Sequence, residues 1–503
     1  MKRILAGIVS VSLFLLSTTS VYGEEKVNNP WTKESIYYIL IDRFQNANSQ
    51  NDFDINVNNP DAYHGGDIQG IIEKLDHIQE LGFTTINLSP IMANSESGYH
   101  GYWTEDLSQV EEHFGTLDDL KALVQEVHDR DMKIVLDFSP WYVSANHPWL
   151  DEDDKQEWFL PNRNVATDDT FQRPWLEGLP VLNTDNEQAG EYVLEAAEYW
   201  VKETGVDGYR LYVDDEVSRT FIATLTERLK AVDPSFLIMT EVENLTNYPT
   251  GYDGTITKEL YQSMSNTFQS AGQPLETLYD QWIESSSSIG EQTVPVGLID
   301  SHETVRFTRE AVLQKQNPIT RWKLALTFLY TTPVIPVVYQ GTDIPMDNGV
   351  SEPDHRVAQL NGGDEELRAH IEQLNAIRKQ FPVLTNGSFE KVASEGAMSL
   401  FKRTNGKQTI YIAINNDVST KVIELEELDS NQQLRGLLLD NIVRQSDQGV
   451  HKIALERETA DIFLVQEDTG MNWAFISFVI LVMAGFIAAV IVLSIRSKKK
   501  NQD

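Results

Sequence analysis

Strand and helix signals alternate from about residue 30 to 385, and few architectures satisfy that order over so long a stretch. Residues 35–41 form an extended run ending in Asp42-Arg43-Phe44. Residues 71–81 carry the apolar spacing of an amphipathic helix, and 84–88 read as a strand. The pattern repeats with a helix over 117–130 and a strand over 133–138, then a helix over Glu187–Thr204 and a strand over Gly208–Val213. Runs at 236–239 and 296–299 read as buried strands, and 332–339 as a late one. Alternation of this length predicts a parallel sheet, and the count suits a (β/α)8 barrel. The stretch from about 139 to 185, rich in Trp, Pro and Asp, is too long for an ordinary βα loop and predicts a small inserted lobe after the third strand. From 386 to 467 the texture changes to short alternating runs, among them 399–403, Thr409–Asn415 and 462–465, set between Gly, Asn and Asp. That predicts a C-terminal antiparallel β domain.

The two ends place the chain in a cell. Lys2 and Arg3 precede an apolar run over 4–16, and Val21-Tyr22-Gly23 follows before Glu24, the pattern of a signal peptide over 1–23. Residues 473–495 carry no charge and are long enough to cross a hydrocarbon core of about 30 Å. Arg496, Lys498, Lys499 and Lys500 follow in the tail 496–503, and positive flanks stay cytoplasmic. The expectation is a single-pass cell-membrane protein with its large part outside. Acidic residues number 76 against 40 basic, a net charge of −36 that repels a phosphate backbone and argues against a nucleic-acid partner. Cysteine is absent, which removes disulfides, zinc thiolates and cysteine nucleophiles from consideration.

In a barrel of this kind chemistry sits at the C-terminal ends of the strands. Those ends offer Asp137, Arg210, Glu241, His302 and Glu303. Two carboxylates flanking a bond, with Arg and His to orient a sugar, suit glycoside hydrolysis.

The stretches IYYILIDRFQNAN, HGGDIQGIIEKLDHIQELGFTTINLSPI and GYHGYWTEDLSQVEEHFGTLDDLKALV resemble the opening of the α-amylase family, glycoside hydrolase family 13. VLDFSP, VDGYRLYVDDE, LIMTEVEN, LIDSHETVRF and PVIPVVYQGTDIP continue in that family's order, so the resemblance covers about 30–385 and implies the barrel with its lobe. It further implies that Glu241 stands at the general-acid position and Glu303 at that of the third carboxylate, next to His302. The nucleophile position, two residues after Arg210, holds Tyr212 in place of Asp. His100 and Tyr102 match residues lining the sugar subsite at the scissile bond. Trp141-Tyr142 replace the third-strand Asn-His pair, and Asp215-Glu216 replace a Lys-His pair after the nucleophile. Trp141, Val181 and Glu216 fall where the family holds a calcium between barrel and lobe, and an indole and an alkyl group cannot coordinate it. A second calcium site, after the first strand, matches Asn46, Asn48, Asn51, Asp52, Gly65 through its carbonyl, and Asp67. The resemblance, with these replacements, implies a surface protein that binds α-glucan or another saccharide, its hydrolytic activity lost or weak. Two alternatives stay open: an active hydrolase or transferase using Glu241, and a non-catalytic scaffold.

Overall fold

A computed structural model describes residues 29–161, 171, 173–213, 217–242, 251–290, 292–347, 355–468, 470 and 473–500. Eight parallel strands close a barrel in sequence order: β1 (Ile36–Ile39), β2 (Thr85–Leu88), β3 (Lys133–Asp137), β4 (Gly208–Val213), β5 (Leu237–Val242), β6 (Gly254–Thr257), β7 (Val294–Gly297) and β8 (Ile335–Tyr339). The sequence pattern finds seven of these. It misses β6, whose four residues Gly-Thr-Ile-Thr make no apolar run. Strand ends also shift by a few residues, as at Val294–Gly297 where 296–299 is expected.

Alternation along each strand divides the core. Ile36 and Tyr38 point into the barrel with Met239, Ile256, Val296 and Val337, while Tyr37 and Ile39 pack outward against the surrounding helices. At Gly208 in β4 a Cβ would lie 2.5 Å from the Leu237 Cβ, so glycine lets β4 approach β5 closely.

The helices begin where the sequence provides caps. Asp67 caps Ile68–Glu80, Thr116 and Asp119 form a capping box on Leu117–His128, and Asn186 caps Glu187–Thr204, which ends at Gly205 in a left-handed conformation. Between β3 and Glu187–Thr204 lies the expected lobe. Short 3₁₀ turns at Pro148–Asp151, Asp153–Trp158 and Pro174–Leu176 build it, and isolated bridges pair Tyr142 with Val181 and Phe159 with Leu182.

The C-terminal domain is antiparallel β, as expected. Six strands run in the order β9 (Ser388–Glu395), β10 (Met398–Thr404), β11 (Thr409–Asn415), β16 (Thr459–Glu467), β13 (Gln432–Gly436) and β14 (Ile442–Val443). A second sheet pairs β12 (Lys421–Leu425) with β15 (His451–Leu455). The seam between this domain and the barrel packs Phe389 and Phe401 against Phe328 and also holds a buried polar contact. Arg321, on the barrel helix Pro318–Thr331, donates to Asn416 Oδ1 at 2.6 Å and to Glu458 Oε2 at 2.9 Å. Asn416 in turn donates to the carbonyls of Thr267 and Gln273.

Last comes the helix Trp473–Lys500, whose stretch Ile476–Ser494 is long and apolar enough to cross a membrane and has no buried residue. The signal-peptide segment lies outside the described residues.

Candidate active site

Parallel pairing brings the polar strand ends into one place. Asp137 of β3 is register partner to Arg210 of β4, and Tyr212 of β4 is partner to Glu241 of β5. Asp137 anchors the base of the site. Its Oδ2 accepts from Tyr38 OH at 2.7 Å, Arg210 Nη1 at 2.9 Å and Tyr102 OH at 3.0 Å, and its Oδ1 accepts from Asn87 Nδ2 at 2.8 Å. Arg210 then reaches upward, with Nη2 donating to Glu241 Oε2 at 2.8 Å and Glu303 Oε2 at 3.0 Å. The aromatic groups join this network: Tyr102 OH meets His302 Nε2 at 3.1 Å.

Eight residues expected from the sequence therefore converge: Asp137, Glu241, Glu303, Tyr212, His100, Tyr102, Arg210 and His302. Asp214, Asp215 and Glu216 lie outside the described residues. Sequence reasoning missed four contributors. Tyr38 and Asn87 sit on strands read as structural. The other two, Arg173 and Trp175, come from the lobe.

Arg173 is the more consequential. Its Nε donates to Glu303 Oε1 at 2.9 Å, and its Nη2 donates to Glu303 Oε2 at 3.0 Å and also to Glu241 Oε1. Its guanidinium carbon lies 3.9 Å from the centre of the Tyr212 ring, a cation–π contact. Tyr212 also lies parallel to Tyr142, with ring centres 6.0 Å apart. Trp175 is nearly parallel to His100, Tyr102 and His302 at centroid distances of 5.6, 5.9 and 5.8 Å. Its carbonyl accepts from Trp103 Nε1 at 2.6 Å.

Burial and charge set the protonation states. Burial drives the Glu241 carboxyl up, and it stays above the usual range although Arg173 and Arg210 pull it down. Burial pushes Glu303 up too, but there Arg173 and Arg210 outweigh it and hold the group well below its ordinary value. Two carboxylates in one pocket are thus driven apart, an arrangement that suits one to give a proton and one to stay ionised. His302 is held neutral by burial, against the pull of Glu303. His355 is also neutral, lowered by burial to about 4, with Nδ1 facing Tyr99 OH and Nε2 facing the His302 carbonyl, each at 2.7 Å.

The loop after β1 carries the residues expected to hold calcium. Asn46 Nδ2 meets Asp52 Oδ1 at 2.7 Å beside Gly65, where φ is +91° and a Cβ would lie 2.5 Å from Asn46. Asn51 donates to the His113 carbonyl, while its Oδ1 is buried without a hydrogen-bond partner. Asn48 Oδ1 accepts from the Gln50 N–H. Asp67 spends its carboxylate on the N–H groups of Ala47, Asn48 and Gly70. At the other expected position Trp141 is fully buried and Val181 is bridged to Tyr142, so these two side chains present no oxygen.

A closed parallel barrel, a lobe after its third strand and a ring of carboxylates at the strand ends define a class of saccharide-acting folds. The alpha amylase catalytic-domain model matches residues 38–381 and the alpha-amylase C-terminal-domain model matches 387–463. The chain belongs to the α-amylase family. It is similar to the crystal structure of an Anoxybacillus α-amylase at 41% identity, covering 88% of this chain and 99% of that one, with a TM-score of 0.83. An α-amylase from Geobacillus thermoleovorans, solved in complex with acarbose, is 37% identical over 87% of this chain and 99% of its own, with a TM-score of 0.80. A beta/alpha-amylase of Paenibacillus polymyxa is 29% identical over 80% of this chain, which spans 35% of that protein's length.

Proposed function

We propose that the chain is a cell-surface member of the α-amylase family that recognises α-glucan at the barrel mouth and does not cleave it efficiently. One observation carries the reading. Tyr212 stands at the nucleophile position with the Arg173 guanidinium on its ring, and the same guanidinium is ion-paired to Glu241 and Glu303. Retaining hydrolysis by two carboxylates needs a nucleophile and an acid about 5 Å apart. A phenol with a reference pKa near 10 is a poor replacement for that nucleophile. Recognition is supported by the family's sugar-facing residues His100, Tyr102, Arg210 and His302, and by the acarbose held by the Geobacillus relative.

A second reading, an active α-glucosidic hydrolase or transferase, is favoured by the identities of 41% and 37% to two α-amylases and by the raised pKa of Glu241, which suits a general acid. Calorimetry and product release on the full-length protein with maltoheptaose separate the two. Binding heat without product is the expected result. Product that disappears in Glu241→Gln establishes the enzyme instead, and neither heat nor product refutes glucan recognition and leaves the scaffold.

Calcium belongs to the same proposal. Its residues would be Asn46, Asn48, Asn51, Asp52 and the Gly65 carbonyl, with Asp67 fixing the loop to the helix Ile68–Glu80. The donor set is all oxygen, and the orphaned Asn51 Oδ1 is an acceptor awaiting a partner. Among the described residues no group of three His, Cys, Asp or Glu side chains is placed to hold a metal ion, so amide and carbonyl oxygens would carry most of the coordination. Its contribution there is structural, clasping the loop. Attachment to a membrane through the helix Trp473–Lys500 is likewise proposed, on the strength of its apolar, unburied stretch.

A further inference from the structure

Arg173 approaches the site from far away in sequence, 68 residues from Glu241 and 130 from Glu303. It is 5% exposed, and it binds Glu303 with two parallel hydrogen bonds, the fork geometry in which arginine holds carboxylates most firmly. Trp175 completes the cover. His100 is 2% exposed, Tyr102 4% and His302 1%, so no sugar ring reaches these faces while Trp175 lies along them.

We propose that Arg173 is the specificity-determining residue of the cleft: its guanidinium, backed by Trp175, occupies the ground a saccharide ring would take, and glucan binds only by displacing it. This rests on the glucan-recognition reading above. The charges show why displacement is selective. Asp137, Glu241 and Glu303 face Arg173 and Arg210, three carboxyl groups against two cations. Withdrawing Arg173 leaves three against one in a buried pocket, and a neutral glucan offers hydroxyl donors without charge. The open cleft is therefore a minor population, and the apparent affinity for glucan falls by that fraction. A small planar cation from solution fits the vacated seat, with the same carboxylates and the same Tyr212 ring to receive it.

The test uses the full-length protein in detergent with Arg173→Ala and the bulkier Arg173→Gln, the second guarding against loss of the fold. Calorimetry with maltoheptaose is expected to give binding about tenfold tighter or more in both variants than in wild type. Methylguanidinium is expected to reverse that gain in the variants and leave wild type unchanged. Equal or weaker binding in both variants, or indifference to methylguanidinium, overturns the proposal. If no protein binds maltoheptaose, the glucan reading falls, and thermal unfolding then decides the role of Arg173. A rise in Tm with methylguanidinium in Arg173→Ala but not in wild type sustains Arg173 as occupant, and no rise overturns it.

Discussion

Replacing Glu303 with Gln removes a charge and keeps a shape, so it measures what the ionised carboxylate contributes. Glu303 is 1% exposed and accepts from Arg173 Nε, Arg173 Nη2 and Arg210 Nη2 at 2.9, 3.0 and 3.0 Å. Removing one partner of a buried ion pair costs about 3–5 kcal/mol, because the other charges stay behind without it. Unfolding entropy near 2.1 cal/mol/K per residue gives roughly 1 kcal/mol/K for a chain of this size, so Tm should drop by about 3–5 °C. The sign with pH follows from the depressed carboxyl. Its stabilisation is complete above the unfolded value near 4.5 and is lost as pH falls toward the folded one. The gap between wild type and Glu303→Gln should therefore narrow by about 1.4 kcal/mol for each pH unit below 4.5. Circular dichroism melts of both full-length proteins from pH 7 down to about pH 3.5 read this directly. Equal Tm values at pH 7, or a gap that does not narrow on the acid side, would refute the ion-pair account of the site.

Two further predictions concern stability away from the carboxylates. His355 is buried and neutral with its pKa lowered to about 4, so its contribution is lost as pH falls from 6.5 toward 4, by about 3 kcal/mol in all. His355→Gln should flatten the pH dependence of Tm in that window, and an unchanged slope contradicts the assignment. Gly65 holds φ +91° with Asn46 and Asp52 where a Cβ would project, so Gly65→Ala should destabilise by about 1–3 kcal/mol. If calcium is held there, a chelator should lower the Tm of wild type more than that of Gly65→Ala, and equal responses would remove the ion from the loop.

Much of the fold could be read in advance because period and caps agree. Glu187–Thr204 and Gly208–Val213 emerge with the expected bounds: Asn186 and Gly205 mark the helix, and the run Tyr209–Val213 leaves no competing register. β6 escaped because its length and composition give periodicity nothing to act on. At the site, the strand-end residues were legible since parallel pairing sets Asp137 beside Arg210 and Tyr212 beside Glu241. Arg173 was not. Its position depends on how an irregular lobe returns over the barrel, and no local pattern in Arg173-Pro174-Trp175 records that two glutamates wait at the far end of the fold.

The seam between the domains governs how the molecule carries a load. β16 lies between β11 and β13, in the interior of its sheet, and ends at Glu467 shortly before the helix that begins at Trp473. Tension applied at that helix pulls along β16, setting the ladders on both of its sides in shear together instead of peeling an edge. Glu458, immediately before β16, is gripped by Arg321 of the barrel, so the force path enters the barrel at Pro318–Thr331. A drag on the C-terminal end should stretch the β domain's ladders before it disturbs the cleft.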